Sequence, residues 1–353
     1  MKTLAMLTGG GDCPGLNAVI RAVTRRAIAE QFNVLGFRNG WAGVIRADYI
    51  PLTRERVTGI LHQGGTILGT SRTNPTDEQL EMITKNLKGL GVDVLIAIGG
   101  DDTLTVASRL HQRGQAVIGI PKTIDNDIFG TEQTFGFDTA VNIATEAIDR
   151  LHTTAESHSR VLVVEIMGRQ AGWIALASGV AGGADLVLLP EFSLSIDAIC
   201  EVVKRRQAAG KNFSIVAVSE GFKVEGIEVT QSDKEDAFGH VRLGGIGETL
   251  CKIIEKRTGI ESRAVVLGHV QRGGTPTAGD RLLATRYGVK AVDLALAGQS
   301  GKMVALKAGE IVGVDLDTVV HEVPDKKTGG MKLRVKNRIV PKELYDVAKV
   351  FFG

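Results

Sequence analysis

Three short loops, each directly behind an apolar run, carry residue types suited to phosphoryl chemistry. The first follows TLAMLT (3–8) and reads Gly9-Gly10-Gly11-Asp12-Cys13-Pro14-Gly15-Leu16-Asn17. Glycines there let backbone N–H groups approach a phosphate, and the start of the following helix favours an anion. The same string also serves as a plain strand-to-helix turn. It is not GxGxxG, because Asp12 and Pro14 break that spacing, and the chain contains no GxxxxGK(S/T). Both common nucleotide fingerprints are therefore missing.

The second loop follows VDVLIAI (92–98) and reads Gly99-Gly100-Asp101-Asp102-Thr103. Two carboxylates at a helix start can simply cap it. Beside glycines, a carboxylate among phosphates implies a bridging Mg²⁺. The third loop follows AVIGI (116–120) and reads Pro121-Lys122-Thr123-Ile124-Asp125-Asn126-Asp127. One carboxylate can take a hydroxyl proton while its neighbour helps hold metal or the first carboxylate. An Asx-rich turn with a solvated Lys122 accounts for the same residues.

The second half supplies cations. Arg160 opens the run 160–166, and Met167-Gly168-Arg169 follows it. Glu220-Gly221 follows 213–219. Arg263 opens 263–268, which leads into Gly268-His269-Val270-Gln271-Arg272-Gly273-Gly274. Singly, an arginine at a strand start is a surface residue. Several arginines and a histidine facing one cleft make a receptor for a phosphate monoester. Glu220 then suits sugar hydroxyls, and Arg72, in Gly69-Thr70-Ser71-Arg72, suits charge on a transferred phosphoryl group.

These loops need strands to present them. Runs at 3–8, 34–37, 92–98, 116–120, 160–166, 185–189, 213–219 and 263–268 read as strands. Helical patterns lie near 16–31, 76–88, 103–113, 138–157, 172–181, 195–208, 246–258 and 280–298. Such alternation predicts α/β architecture with mostly parallel sheets covered on both faces. Ligands in such folds sit beyond the carboxyl ends of the strands. A boundary is expected near 137, an insertion at 222–243, and a strand-rich segment after 300 ending in a basic tail.

The whole composition limits the rest. The chain has 353 residues, enough for about two domains at ~150 residues each. Lys and Arg total 42 against 40 Asp and Glu, so neither nucleic acid nor a membrane surface is an expected partner. Any anion site must be built locally. Glycine is abundant at 44 residues. Cys13, Cys200 and Cys251 are scattered and odd in number, which fits a reducing cytoplasm better than a disulfide framework or a zinc site. No run approaches the ~18 apolar residues of a spanning helix, and the N-terminus does not read as a secretory signal.

Taken in order, TGGGDCPGLN (8–17), GGDD (99–102), PKTIDND (121–127), MGR (167–169), SEG (219–221) and GHVQRGG (268–274) resemble the 6-phosphofructokinase family. The resemblance runs from residue 3 to about 300 and implies two Rossmann-like αβα domains with the active site in the cleft between them. A donor domain is expected at 1–137 plus 271–300, and a fructose 6-phosphate domain at 138–270 plus 301–353. By the same resemblance, Gly10 and Gly11 cradle the phosphoryl donor, with Arg72 beside them, and Asp101 binds Mg²⁺. Asp125 is the general base for the sugar C1 hydroxyl, with Asp127 beside it. Thr123, Met167, Gly168, Arg169, Glu220, His269 and Arg272 match the fructose 6-phosphate site. Arg160 and Arg263 match arginines that reach that site from a neighbouring subunit, which implies a homodimer or homotetramer.

Two positions bear on the donor. ATP-using members resemble one another in having glycine at the positions of Asp102 and Lys122. The pair found here is the family's mark of diphosphate dependence. A carboxylate at 102 would take the place of a nucleotide's α-phosphate, and Lys122 would hold it and neutralise the transferring group. The resemblance thus implies reversible transfer from diphosphate to fructose 6-phosphate. The alternatives are an ATP-dependent phosphofructokinase of the same fold and a non-catalytic sugar-phosphate-sensing subunit. A lipid or NAD kinase shares the Gly-Gly-Asp loop but not PKTIDND or GHVQRGG. Arg21, Arg25, Arg54 and Lys211 match an effector pocket of ATP-dependent relatives, yet Phe213 stands where histidine is expected, so no regulation is assigned.

Overall fold

The computed structural model describes residues 2–224, 244–324 and 330–352. The chain begins β1 (Thr3–Thr8), α1 (Leu16–Ala29), β2 (Asn33–Phe37), α2 (Trp41–Arg46), β3 (Tyr49–Pro51) and α3 (Asp77–Gly89). It continues with β4 (Val92–Gly99), α4 (Asp101–Gln112), β5 (Val117–Pro121), α5 (Phe137–His158), β6 (Val161–Ile166) and α6 (Trp173–Ala181). Next come β7 (Leu186–Leu188), α7 (Ile196–Ala208), β8 (Ser214–Ser219), α8 (Ile246–Thr258) and β9 (Ser262–Val266). A 3-10 turn (Gly268–Arg272) leads to α9 (Ala278–Leu296), β10 (Lys302–Lys307), β11 (Glu310–Asp315) and α10 (Leu316–Val319). The last elements are β12 (Val320–Pro324), β13 (Met331–Val335) and α11 (Lys342–Lys349). Most of the insertion expected at 222–243 lies outside the described residues.

The chain separates into two compact units. The first is Met1–Thr123, Ile128–Asp138 and Arg272–Arg338; the second is Ile124–Asp127, Thr139–Gln271 and Ile339–Gly353. In the first, seven strands run in the order β11-β10-β5-β4-β1-β2-β3, with β2, β1, β4, β5 and β10 parallel and β3 and β11 antiparallel at the edges. Successive strand residues face opposite sides. Ala5 and Leu7 of β1 join one core with residues of α2, α3 and α4, while Leu4 and Met6 are buried on the other face. A strand buried on both faces reads as a continuous apolar run, as TLAMLT does. Across that second face α1 and α9 pack closely: a Cβ on Gly288 would sit 2.8 Å from that of Ala22.

In the second unit, β7-β8-β6-β9 form a parallel sheet. Val161 and Val163 of β6 share a core with Val216 and Val218 of β8 and with residues of α7 and α8. The architecture is thus α/β with parallel sheets, as expected.

One expectation is corrected. Residues 301–338 belong with the first unit, not with the sugar-phosphate half. β10 pairs in parallel with β5, Lys302 opposite Ile118 and Met303 opposite Gly119, and Met303, Val304 and Ala305 are fully buried there. Burial of that strand against β5 outweighs any relation to the chain that precedes it. The short α2 and β3 were not anticipated.

Candidate active site

In the first unit three strand ends lie side by side. Thr8 pairs with Ile98, and Gly99 with Pro121. Gly9 N–H donates to the Ile98 carbonyl at 2.9 Å, and Lys122 N–H to the Gly99 carbonyl at 2.9 Å. The sheet therefore brings Gly9–Asp12, Gly99–Asp102 and Lys122–Thr123 to one carboxyl edge, the usual ligand edge of such sheets. The glycines there differ in purpose. A Cβ on Gly9 would meet Thr103 Oγ1 at 2.5 Å, so that glycine serves strand–helix packing. Gly10 has φ +80°, a left-handed conformation that favours glycine.

The loop behind β1 is held by its carbonyls. Thr70 Oγ1 donates to Gly10 O at 2.6 Å, and Lys122 Nζ donates to Gly11 O at 2.6 Å. Arg272 Nη1 donates to Asp12 O at 3.1 Å. Lys122 is 2% exposed, so its charge lies inside the protein rather than in solvent. Arg72 follows two residues after Thr70 and is exposed. Within the loop Cys13 is fully buried, and burial pushes its thiol far above the usual range. It is a neutral packing group, not a nucleophile.

Asp101 and Asp102 open α4, where their charge meets the positive end of the helix. Asp101 Oδ1 accepts from the Val335 N–H at 2.8 Å and from Thr105 Oγ1 at 3.3 Å, and Oδ2 lies 4.0 Å from Arg334 Nε. The tail hairpin β12–β13 thus reaches this carboxylate. Among the described residues no three His, Cys, Asp or Glu side chains converge as a protein-only metal cage requires. Mg²⁺ held by a single carboxylate, substrate phosphates and water needs no such cage, and Asp101 fits that donor set.

Thr123 carbonyl accepts from Thr134 Oγ1 at 2.7 Å. Asp125 and Asn126 are buried, Asp127 partly so. Asn126, between the two carboxylates, has φ +54°, a conformation asparagine tolerates better than most side chains. The stretch Ile124–Asp127 groups with the second unit.

In that unit β6 and β8 end together, Ile166 opposite Ser219. Glu220 N–H donates to the Ile166 carbonyl at 2.8 Å. Its Oε1 accepts the N–H groups of Gly168 at 3.3 Å and Arg169 at 3.0 Å. Arg169 has φ +43°, so this carboxylate holds the strained turn that carries the arginine. Arg160 Nε donates to Glu261 Oε2 at 2.7 Å, and Arg263 Nη2 to Glu261 Oε1. The Arg160 hydrogen bond holds the Glu261 carboxyl below its usual range. His269 is exposed on the 3-10 turn, and Met167 is half-buried.

The first unit therefore collects Gly10, Gly11, Asp101, Asp102, Lys122, Thr123 and Arg272, with Arg72 nearby in sequence to Thr70. The second collects Asp125, Asp127, Arg160, Met167, Gly168, Arg169, Glu220, Arg263 and His269. Arg272, expected with the sugar-phosphate set, donates from the end of the 3-10 turn to the Asp12 carbonyl of the loop behind β1. Sequence reasoning missed Thr70, Glu261, Arg334 and Val335. Only Glu261 left a signal: it stands two residues before Arg263, immediately ahead of β9.

An α/β unit presenting backbone loops, carboxylates and a buried cation at its strand ends is, as a class, a phosphate-handling protein. Residues 3–295 match the family model described as phosphofructokinase. A pyrophosphate–fructose 6-phosphate 1-phosphotransferase from Amycolatopsis methanolica is 54% identical over 355 residues, covering 99% of each chain. An ATP-dependent 6-phosphofructokinase of Streptomyces coelicolor is 50% identical over 331 residues, covering 92% of this chain and 97% of that one. The solved structure of phosphofructokinase from Saccharomyces cerevisiae superposes with a TM-score of 0.80 at 30% identity, over 90% of this chain and 45% of that one. The chain belongs to the phosphofructokinase family.

Proposed function

We propose that the protein transfers a phosphoryl group, reversibly, from diphosphate to the C1 hydroxyl of fructose 6-phosphate, giving phosphate and fructose 1,6-bisphosphate. The observation that carries the donor is Lys122, 2% exposed, with its ammonium on the Gly11 carbonyl. A buried cation on the donor loop suits a compact, highly charged anion. Asp102, second residue of α4, adds a side chain and a negative charge where a nucleotide's α-phosphate would lie. The A. methanolica relative's name points to the same donor.

In this reading Gly10, Gly11 and Arg72 bind the diphosphate. Asp101 would hold Mg²⁺, which neutralises charge on the phosphate oxygens. Asp125 accepts the C1 hydroxyl proton, with Asp127 beside it. Thr123, Met167, Gly168, Arg169, Glu220, His269 and Arg272 bind fructose 6-phosphate. Arg160 and Arg263 serve the sugar phosphate of a second copy in a homodimer or homotetramer, and the setting is cytoplasmic glycolysis or its reverse.

The S. coelicolor relative favours a second reading, with ATP as donor. Initial rates with magnesium diphosphate and magnesium ATP, measured separately in a coupled assay, decide between them. A rate on diphosphate at least tenfold above that on ATP is expected. Brisk turnover on ATP and none on diphosphate overturns the donor assignment.

A further inference from the structure

Three successive carbonyls of the loop behind β1 are each taken by a side chain from a different part of the first unit. Gly10 O is held by Thr70, Gly11 O by Lys122 and Asp12 O by Arg272. The peptides are all trans, so each carbonyl and the following N–H point opposite ways. Holding these three oxygens turns the N–H groups of Gly11, Asp12 and Cys13 away from the gripping side chains. The Cys13 N–H meets the Asp12 carboxylate at 2.8 Å. That leaves the Gly11 and Asp12 amides as the pair the grip aims. With Gly10 left-handed, successive amides of this kind form an anion-binding concavity.

We propose that Thr70 and Arg272 are positioning residues of the donor loop, acting with Lys122 to turn its carbonyls away from the donor and its amides toward it. The inference rests on the reading of Gly10 and Gly11 as the diphosphate cradle. Two considerations extend it. Carbonyl oxygens left facing a polyanion would repel it, whereas carbonyls tied to two cations are withdrawn and compensated. Gly11 also bears on this: a Cβ there would sit 2.8 Å from Arg272 Nη1, so the guanidinium packs close beside that residue. Arg272 therefore serves the donor, in addition to any contact with the sugar phosphate, and Thr70 acquires a role that its residue type does not advertise.

The test uses the intact enzyme and imidodiphosphate, a diphosphate analogue whose bridging nitrogen resists transfer, titrated calorimetrically with Mg²⁺ and without sugar phosphate. Thr70→Val and Arg272→Gln should each weaken imidodiphosphate binding about 5- to 20-fold. Thr70→Ser and Arg272→Lys should restore most of it. Thr70→Val should leave fructose 6-phosphate affinity unchanged, which a general loss of structure would not do. Wild-type imidodiphosphate affinity in both Thr70→Val and Arg272→Gln overturns the proposal while leaving the cradle reading intact. Failure of the unsubstituted enzyme to bind imidodiphosphate removes the cradle reading, and the proposal with it.

Discussion

The ammonium of Lys122 donates to the carbonyl oxygen of Gly11 at 2.6 Å, tying the end of β5 to the loop behind β1. A buried lysine must be compensated, and here a backbone dipole does part of that. For the diphosphate proposed to bind here, the same charge would already be in place without rearrangement. Lys122→Met keeps the length and apolar stem and removes the charge. Diphosphate turnover should fall about 100-fold or more with the far-ultraviolet circular dichroism unchanged. A folded Lys122→Met enzyme with near-normal turnover would show that the lysine only braces the loop.

Removing the Asp102 and Lys122 side chains together should act on space as well as charge. A Cβ on Gly10 would lie 3.5 Å from Lys122 Nζ, so the lysine fills the volume beside that glycine. The double change Asp102→Gly with Lys122→Gly vacates this volume and removes a negative charge from the head of α4. Binding of a non-hydrolysable ATP analogue should tighten about tenfold by calorimetry, while diphosphate turnover falls. No gain in nucleotide affinity would mean that exclusion lies elsewhere.

The strand-end loops were legible because their signal is local: a buried apolar run followed at once by glycine, acid or proline. The same locality explains what was missed. Helix α2 is only six residues long, too short to show a period. The place of 301–338 depends on β10 meeting β5, a pairing across more than 180 residues that no window of sequence contains. Thr70 acts through a hydroxyl on a backbone carbonyl, and any threonine can do that. Glu261 meets Arg160 because Val161 stands opposite Ser262, so that ion pair needed the register of β6 and β9 before it could be read. The hold of Val335 on Asp101 comes from the tail, beyond the residues that match the family model.

Asp125 is expected to act on the chemical step. It is 5% exposed and follows Lys122 by three residues. Asp125→Ala should lower kcat by about 10²- to 10⁴-fold, the usual worth of a positioned base, with fructose 6-phosphate affinity changed only a few-fold. Retained kcat with a raised KM would reassign the carboxylate to binding.

Stability should also fall in alkali through Cys13. An unfolded thiol releases its proton near 9.0, whereas burial raises the folded value far above that. Above pH 9 the folded chain therefore holds a proton that the unfolded chain has lost. The contribution is fully present below pH 9 and declines as pH rises, by up to about 1.4 kcal/mol per pH unit. Urea unfolding between pH 7 and 10.5 should show this slope, and Cys13→Ala should flatten it. An unchanged slope in Cys13→Ala would place the alkaline sensitivity on other groups.

Glu220 offers the sharpest test of whether the turn that carries Arg169 matters to the proposed sugar-phosphate site. One carboxylate oxygen accepts both the Gly168 and the Arg169 N–H groups. The turn is crowded as well, since a Cβ on Gly221 would collide with the Arg169 carbonyl. A left-handed arginine costs about 1–2 kcal/mol and persists only while neighbours hold it. Glu220→Ala removes the acceptor, so the turn should relax and the KM for fructose 6-phosphate should rise roughly 10-fold or more. Glu220→Gln keeps an oxygen for the two amides and loses only the charge, so its rise should be smaller. If both variants raise KM equally, the carboxylate acts on the sugar directly through its charge, and its hold on the turn is incidental.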